Sequence, residues 1–520
     1  MTNAVAWFLD RHVDEGRGQS PAFVDLHRSV TYEQLARTSA RVAGGLAAAD
    51  VGRERRLAML MLDTVDFPAV FWGALRAGVV PIPINTLLPA EQVAYILQDS
   101  RAEALVVSAP LLPALRHVLA RLDALKLVLV ASMDGSPAAG LKGNERDFGG
   151  FVAQALPAAI AVEASDDEVA FWLYSSGSTG APKGVKHVHA SLKATADTYA
   201  DQVLGITRDD VCFSAAKLFF AYGLGNAMTF PMHVGACAAL LPDRPTPDSV
   251  MATMQRHKPT MFFGVPTLYA AMLANPALTR GAGSPRLRRC VSAGEALPEH
   301  VGLRWNEAVG VHILDGIGST EMLHIFVSNQ PGKIRYGSSG IAVPGYELRI
   351  VDEHDRDVAD GETGELLVNG PSAAEGYWNQ RAKSRRTFQG EWTRTGDKYL
   401  RDAEGFYRYQ GRADDMFKVS GIWVSPFEVE AALVSHDAVQ EAAVIGREDA
   451  DGLVKPMAFV VLKGGGIAGE KLVAELQAHV KASAGPWKYP RWIEVVEDLP
   501  KTATGKIQRF RLRERFASHT

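Results

Sequence analysis

Between residues 174 and 184 the chain reads YSSGSTGAPKG, a concentration of glycines and hydroxyls with one lysine, behind an apolar run at 169–174. Glycine tolerates φ > 0 and lets the backbone approach a ligand, so Gly177, Gly180 and Gly184 suit a loop that wraps an anion. Ser178, Thr179 and Lys183 add hydrogen-bond donors and a positive charge, the groups a phosphate requires. The composition is that of a strand delivering a phosphate-gripping loop.

The spacing is not that of the Walker loop, G-x-x-x-x-G-K-[ST]: five residues after Gly177 stands Pro182, and Lys183 is followed by Gly184. Four further segments carry groups of related use. DGIGSTEMLHIF at 315–326 sets a Ser-Thr-Glu triplet after a glycine turn, where hydroxyls can bind phosphate and Glu321 can hold Mg2+. TRTGD at 393–397 ends in Asp397, suited to a ribose diol. GRADD at 411–415 puts Arg412 beside two carboxylates, and LPKTATGKIQR at 499–509 presents Lys506 after a Thr-Gly turn. Any one of these alone reads as a solvated loop.

The elements that must position these loops alternate in the first three hundred residues. Hydrophobic patterning predicts helices at 33–49 and 69–77, with strands at 57–61, 79–82 and 104–107, which argues for layered α/β subdomains with parallel sheets. Gly-, Pro- and Ser-rich loops are expected at 133–150 and 275–285. From about residue 336 shorter strands with turn signals indicate a β-rich subdomain. The last hundred residues predict a compact α+β unit: helices at 426–434 and 470–482, strands at 439–446, 457–462 and 492–496. The expected organisation is therefore α/β and α+β multidomain, with a large domain at 1–413 and a small mobile one at 414–520.

At 520 residues, 47% hydrophobic and 22% charged, the chain has the composition of a globular protein of more than one domain. A formal charge of -4, from 55 basic and 59 acidic residues without long single-sign blocks, gives no reason to expect nucleic acid or an anionic membrane as partner. Cys212, Cys237 and Cys290 are far apart in apolar surroundings and are expected to be buried, reduced thiols. The N-terminus suits a short amphipathic helix rather than a signal peptide. The apolar stretch 67–84, broken by Gly73, Arg76, Gly78 and two prolines, suits a buried helix followed by a strand. A cytoplasmic protein is expected.

Taken in order and with their spacings, the five motifs resemble the adenylate-forming superfamily of acyl-CoA synthetases, peptide-synthetase adenylation domains and luciferases. The segments KLFFAYGLGN, GSTEMLHIF and FKVSGIWVSPFEVE look like the benzoate-CoA ligase group. The resemblance spans the chain and implies that a carboxylate attacks the α-phosphate of ATP, releasing pyrophosphate, and that the thiol of CoA then attacks the acyl-adenylate. It implies that Thr179 and Lys183 hold the β- and γ-phosphates, with Ser175, Ser176, Gly177, Ser178 and Gly180 completing the loop. Thr320 beside Ser319 would take the α-phosphate, Glu321 the magnesium, and Asp397 and Arg412 the ribose. Lys506 would bridge the carboxylate and α-phosphate, offsetting the repulsion between two anions. The family commonly has an aromatic where this chain has Ile317, so adenine would rest on an aliphatic surface, with polar recognition from Gly294, Glu295, Asp315 and Gly316.

The same resemblance places Ala221, Tyr222, Gly223, Gly294, Ile317, Gly318, His324 and Ile325 around a short acyl pocket suited to a flat ring, with Lys418 approaching the carboxylate. His324 is read as a binding residue rather than a general base, and His187 and His189 lack the third ligand a metal site needs. Lys418, Ser420, Gly421 and Ile422 would line the path of the CoA thiol after rotation about a hinge at Asp414. The implied partners are a small aromatic carboxylic acid, ATP with Mg2+, and CoA; a homodimer is compatible with this reading. The reading favours benzoate. Other small aryl acids, such as 4-hydroxybenzoate or 2-aminobenzoate, stay open, as do an enzyme that loads a carrier protein and a non-catalytic binding protein on the same scaffold.

Overall fold

The helix Tyr32–Ala48 starts at a capping box in which Thr31 and Gln34 satisfy each other's backbone amides, and it buries Leu35, Val42 and Leu46. It packs on Asp66–Arg76, a helix whose every residue is buried, which accounts for the apolar run that begins at 67. The two prolines that follow fall in the strand Val80–Pro83 at the edge of a sheet, where a missing N–H costs least. Among the described residues no helix is long and apolar enough to cross a membrane.

The computed structural model describes residues 3–517 except 176–180, 276–277, 414, 420–421, 450–452, 465–468, 486–487 and 502–506. It divides into two compact units, the first made of 1–177, 181–347 and 368–393, the second of 178–180, 348–367 and 394–520.

The first unit holds three sheets. Five parallel strands run in the order Val80–Pro83, Arg56–Leu60, Ala104–Ser108, Leu127–Ala131, Glu145–Asp147. The last of these lies inside the expected 133–150 loop. Its polar, partly exposed ERD sequence carries no strand signal of its own; pairing to the fully buried Leu127–Ala131 imposes it, and Asp147 then caps the following helix Phe148–Gln154. A nine-stranded sheet has a parallel centre, Ile313–Gly318, Arg289–Ser292, Met261–Gly264, Val211–Ser214, Cys237–Ala239 and Pro21–Val24, with antiparallel edges. Phe213, Phe262 and Cys290 from this sheet pack against Tyr269 and Trp305, and the three cysteines are buried free thiols, as expected. The third sheet is small and antiparallel: Gly376–Tyr377, Lys183–Val188, Val169–Ser175.

In the second unit the strand Trp392–Arg401 pairs with Tyr407–Arg412 so that Asp397 lies opposite Arg412. Farther along, Val439–Glu448 and Val454–Leu462 form a hairpin to which Trp492–Val495 adds in parallel. One face is covered by the helices Pro426–Val434 and Glu470–Ala484 through Val429, Leu433, Leu476 and Val480, the other by Leu499 and Leu512. These elements follow the expected α+β tail closely. Asp414 lies outside the described residues, so the domain boundary is taken up below as a proposal.

Gly73 shows why the apolar stretch is interrupted. A Cβ there would come within 2.6 Å of Val42 Cβ and 2.9 Å of the Ser39 carbonyl, so glycine sets how closely the two helices approach. Gly73→Ala gains about 1 kcal/mol of helix propensity but must push a β-branched side chain and a backbone oxygen apart, at a cost of about 1–3 kcal/mol. A lower urea midpoint than wild type is the expected result.

Candidate active site

Both chemistry-bearing loops are hairpin loops. The glycine-rich segment joins Val169–Ser175 to Lys183–Val188, strands in antiparallel register with Ser175 opposite Lys183. The Ser-Thr-Glu segment joins Ile313–Gly318 to Ile325–Ser328, with Gly318 opposite Ile325. A strand rather than a helix follows the glycine loop, which accounts for the failed Walker spacing. Ser176, Gly177, Ser178, Thr179 and Gly180 lie outside the described residues.

The structure brings Lys183 and Glu321 together. Lys183 Nζ donates to Glu321 Oε1 at 2.8 Å, and the two side chains are only 13% and 16% exposed. Burial alone would raise the Glu321 pKa; the Lys183 ammonium and the Tyr377 hydroxyl outweigh it, and the net direction is downward, toward a charged carboxylate. A hard-oxygen anion of this kind fits Mg2+.

The Ser-Thr-Glu turn is fixed by its own main chain. Leu323 is left-handed, with φ 63°, and its amide donates to the Thr320 carbonyl at 3.2 Å. The same carbonyl accepts from His187 Nε2–H at 2.8 Å, and burial drops His187 to a pKa of about 4, so the ring is neutral. Ala374 N donates to the Glu321 carbonyl at 2.8 Å, Ser372 Oγ to the Met322 carbonyl at 2.7 Å, and Met322 N to Ser319 Oγ at 3.2 Å.

The sequence reading weighs His187 only as a metal ligand and does not reach Tyr377. The first had a usable signal: residues 183, 185 and 187 share one face of a strand, so His187 follows Lys183 toward the Ser-Thr-Glu turn. Tyr377 had none, because it reaches the site from about two hundred residues downstream of the glycine loop.

Around the expected acyl pocket, Tyr222 sits in the short helix Ala221–Leu224, and its hydroxyl donates to the carbonyls of Val291 at 3.1 Å and Gly264 at 3.3 Å. Those carbonyls mark the carboxyl ends of two neighbouring parallel strands, the edge of an α/β sheet where ligands collect. His324 is buried; its ring lies 5.6 Å from that of Tyr222 and 4.5 Å from Phe230, and Nε2 donates to Asn226 Oδ1 at 3.1 Å. Burial holds its pKa at about 3, with the Tyr222 carbonyl pulling weakly the other way. A base that weak accepts no proton at neutral pH, in keeping with a binding role. A Cβ on Gly223 would overlap the Lys217 carbonyl at 2.1 Å, and one on Gly318 would meet the His324 carbonyl at 2.5 Å. Ile325 is buried, Ile317 and Ala221 are partly exposed, and Gly294, with φ +96°, faces open space. Beside it is Glu295, and Gly316 precedes Ile317 on its strand. Asp315 is buried, and burial lifts it well above the usual carboxylate range against the pull of the Leu297 amide.

In the second unit Arg412 Nη1 donates to Asp397 Oδ1 at 3.1 Å and to the Thr395 carbonyl at 3.2 Å. Gly396, at φ +71°, leaves room for that guanidinium. Lys418 and Ile422 lie on the paired strands Phe417–Val419 and Ile422–Val424, though their side chains, like Asp414, Ser420, Gly421 and Lys506, are outside the described residues.

A profile of the AMP-binding enzyme family matches residues 9–378, and one of the AMP-binding enzyme C-terminal domain matches residues 428–506. The chain belongs to the AMP-binding enzyme family. Within it, the chain is 53% identical to a 4-hydroxybenzoate–CoA/benzoate–CoA ligase of Rhodopseudomonas palustris, over 98% of this chain and 94% of that one. It is 52% identical to a benzoate–CoA ligase of Thauera aromatica, over 98% and 95%. Its fold is similar to the crystal structure of a benzoate CoA ligase from Burkholderia xenovorans, with TM-score 0.89 and 49% identity over 99% of this chain and all of that one (100%). The adenylate-forming fold and the place of the chain among these enzymes accord with the motif order.

The buried histidines give this family member a definite acid response. His12, His187 and His189 have pKa values of about 4, and His324 about 3, all lowered chiefly by burial. Each stays neutral in the fold where the unfolded chain takes up a proton, so their contribution is complete above about pH 6.5 and is lost as pH falls toward 4. Asp63, raised by burial to about 6, and Asp10, Asp66 and Asp315, also raised by burial, act oppositely in that window and cancel part of the slope. The remainder predicts a loss on the order of 1 kcal/mol per pH unit. Melting temperatures measured from pH 7 to pH 4.5 should fall steadily; a flat profile would contradict the assignment of neutral, buried rings.

Proposed function

We propose that the chain is an ATP-dependent, AMP-forming benzoate–CoA ligase, with the two half-reactions of the adenylate-forming enzymes. The observation that carries the aryl preference is the pairing of Tyr222 and His324, two rings 5.6 Å apart at the carboxyl edge of the parallel sheet. The Tyr222 hydroxyl is committed to the main-chain carbonyls of Val291 and Gly264. That leaves an aromatic, largely apolar wall for a flat ring.

In the first half-reaction a benzoate oxygen attacks the α-phosphorus and the bond to pyrophosphate breaks. In the second the CoA sulfur attacks the carbonyl carbon, AMP leaves, and the thiol proton is lost. Neither step needs a protein nucleophile; both need charges neutralised and reactants aligned. Lys183 and the glycine loop through Thr179 would hold the outer phosphates, Thr320 the α-phosphate, and Asp397 and Arg412 the ribose. Gly294, Glu295, Asp315 and Gly316 would surround the adenine beside Ile317. Glu321 would hold Mg2+, which when bound supplies positive charge to the phosphate oxygens. Lys506 would bridge carboxylate and α-phosphate, and rotation at Asp414, the boundary between 1–413 and 414–520, would replace its loop by the segment with Lys418, Ser420, Gly421 and Ile422.

Two measurements test this. Lys506→Ala should slow pyrophosphate release on the order of a hundredfold or more, while thioester formation from supplied benzoyl-adenylate persists; equal loss of both would refute the division of labour. Activity on 4-hydroxybenzoate is the second reading, favoured by its appearance in the name of one relative. The Tyr222 hydroxyl is taken by main-chain carbonyls, and a para-hydroxyl left unpaired beside that wall would cost about 1–3 kcal/mol. Benzoate should therefore exceed 4-hydroxybenzoate by about tenfold or more in kcat/KM, with 2-fluorobenzoate tolerated and hexanoate rejected. Equal or better turnover of 4-hydroxybenzoate or hexanoate would reject the pocket as described.

A further inference from the structure

The segment 374–378 stitches the two hairpin loops together. Ala374 N donates to the Glu321 carbonyl at 2.8 Å, Glu375 N to the Lys186 carbonyl at 2.9 Å, and Trp378 N to the Gly184 carbonyl at 2.8 Å. From this strand Tyr377 sends its hydroxyl into the Lys183–Glu321 pair. The hydroxyl donates to Glu321 Oε1 at 2.8 Å and accepts from Lys183 Nζ at 2.8 Å. Thr387 Oγ1 lies 3.3 Å from the same oxygen, and Lys183 Nζ stands 4.0 Å from the centre of the tyrosine ring. A charged carboxylate cannot donate and an ammonium cannot accept, so between these two the phenolic hydrogen goes to Glu321, at 2.8 Å a closer acceptor than Thr387 Oγ1 at 3.3 Å.

The proposed chemistry asks both charged partners to change company, Lys183 for a phosphate and Glu321 for a metal. When Lys183 leaves, Glu321 loses this ion-pair partner and would be free to swing. We infer that Tyr377 is the positioning residue that keeps the Glu321 carboxylate aimed for the metal once Lys183 turns to the nucleotide, an inference that rests on Glu321 being the metal-holding residue. The tyrosine hydroxyl suits this role because its bond to Oε1 is independent of the lysine, and because the main-chain bonds of 374–378 hold its strand against both hairpins.

Tyr377→Phe keeps the ring and its contact with the Lys183 ammonium and removes only the hydroxyl. The test is calorimetric binding of ATP to the full-length protein with Mg2+ and with chelator, without acid or CoA, beside Glu321→Gln. The metal should tighten ATP binding to wild type, and that enhancement should fall about tenfold or more in Tyr377→Phe, with metal-free ATP bound as by wild type. An undiminished enhancement in Tyr377→Phe, with Glu321→Gln losing it, overturns the role of Tyr377 alone. Loss of ATP binding by Tyr377→Phe with and without metal also overturns it, since the hydroxyl would then serve the architecture of the loops. A full enhancement in Glu321→Gln overturns the assignment of the metal to Glu321, and the inference with it.

Discussion

The ion pair between Lys183 and Glu321 is the contact around which the nucleotide side of this enzyme is arranged. It joins two hairpins that belong to different sheets, one from 169–188 and one from 313–328. An exposed pair of this kind contributes about 0–1 kcal/mol. A mostly buried one is worth keeping only if its remaining valences are satisfied. Here Tyr377 bonds both members, while His187 fixes the carbonyl of the residue before Glu321 and Ala374 that of Glu321 itself. Removing one partner would strand a charge among groups placed to receive it, so the pair specifies geometry more than it adds stability.

The sheet explains why the acyl side converges at the same place. Gly264, Ser292 and Gly318 end three neighbouring strands, and the first two of these, with Val291, accept or adjoin the hydroxyl of Tyr222. A parallel sheet requires its connections to cross over, so consecutive strands deliver loops to one edge, and residues from 222, 294 and 317–325 meet there although seventy or more positions separate the first from the others. Small residues at the crossing points are then obligatory. The imidazole of His324 would clash with any side chain on Gly225, whose Cβ would lie 2.5 Å from the ring.

What the sequence disclosed follows the same physics. Elements with their own periodicity were legible to within a residue or two, as at Tyr32–Ala48, Pro426–Val434 and Glu470–Ala484. The edge strand Glu145–Asp147 was not, because its neighbour rather than its own residues makes it a strand. Motifs whose parts are contiguous, such as Ser-Thr-Glu and the glycine loop, announced their chemistry. Tyr377 and Asn226 did not, since a lone tyrosine or asparagine acquires meaning only from partners brought by the fold. His187 stood between: its strand face was readable, but its target, a backbone carbonyl at Thr320, was not.

The tail of the chain bears on where a pivot can lie. Asp415 accepts from Arg509 at 3.2 Å and from Arg513 at 3.1 Å, and Arg509 also clamps Glu430 at 2.6 Å. Arg509 is three positions beyond Lys506, so the helix Arg509–Ala517 ties the end of the lysine segment to residue 415 and to the helix Pro426–Val434. A turn of the chain after 415 would have to break a charge cluster in which the carboxylates are 15% and 8% exposed, whereas a turn just before it would leave the cluster whole. Among the described residues such a turn would disturb the Ser425 hydroxyl on the Gln410 carbonyl, the Tyr409 and Phe427 rings 5.2 Å apart, and the amides of Asp415 and Met416 on the Arg412 carbonyl, each at 3.1 Å. Neutral hydrogen bonds and an aromatic pair of this kind contribute about 0.5–1.5 kcal/mol each, an amount that binding of a nucleotide or of CoA can offset. These ion pairs tie residue 415 to the chain that follows it, which is what a pivot proposed just before it requires.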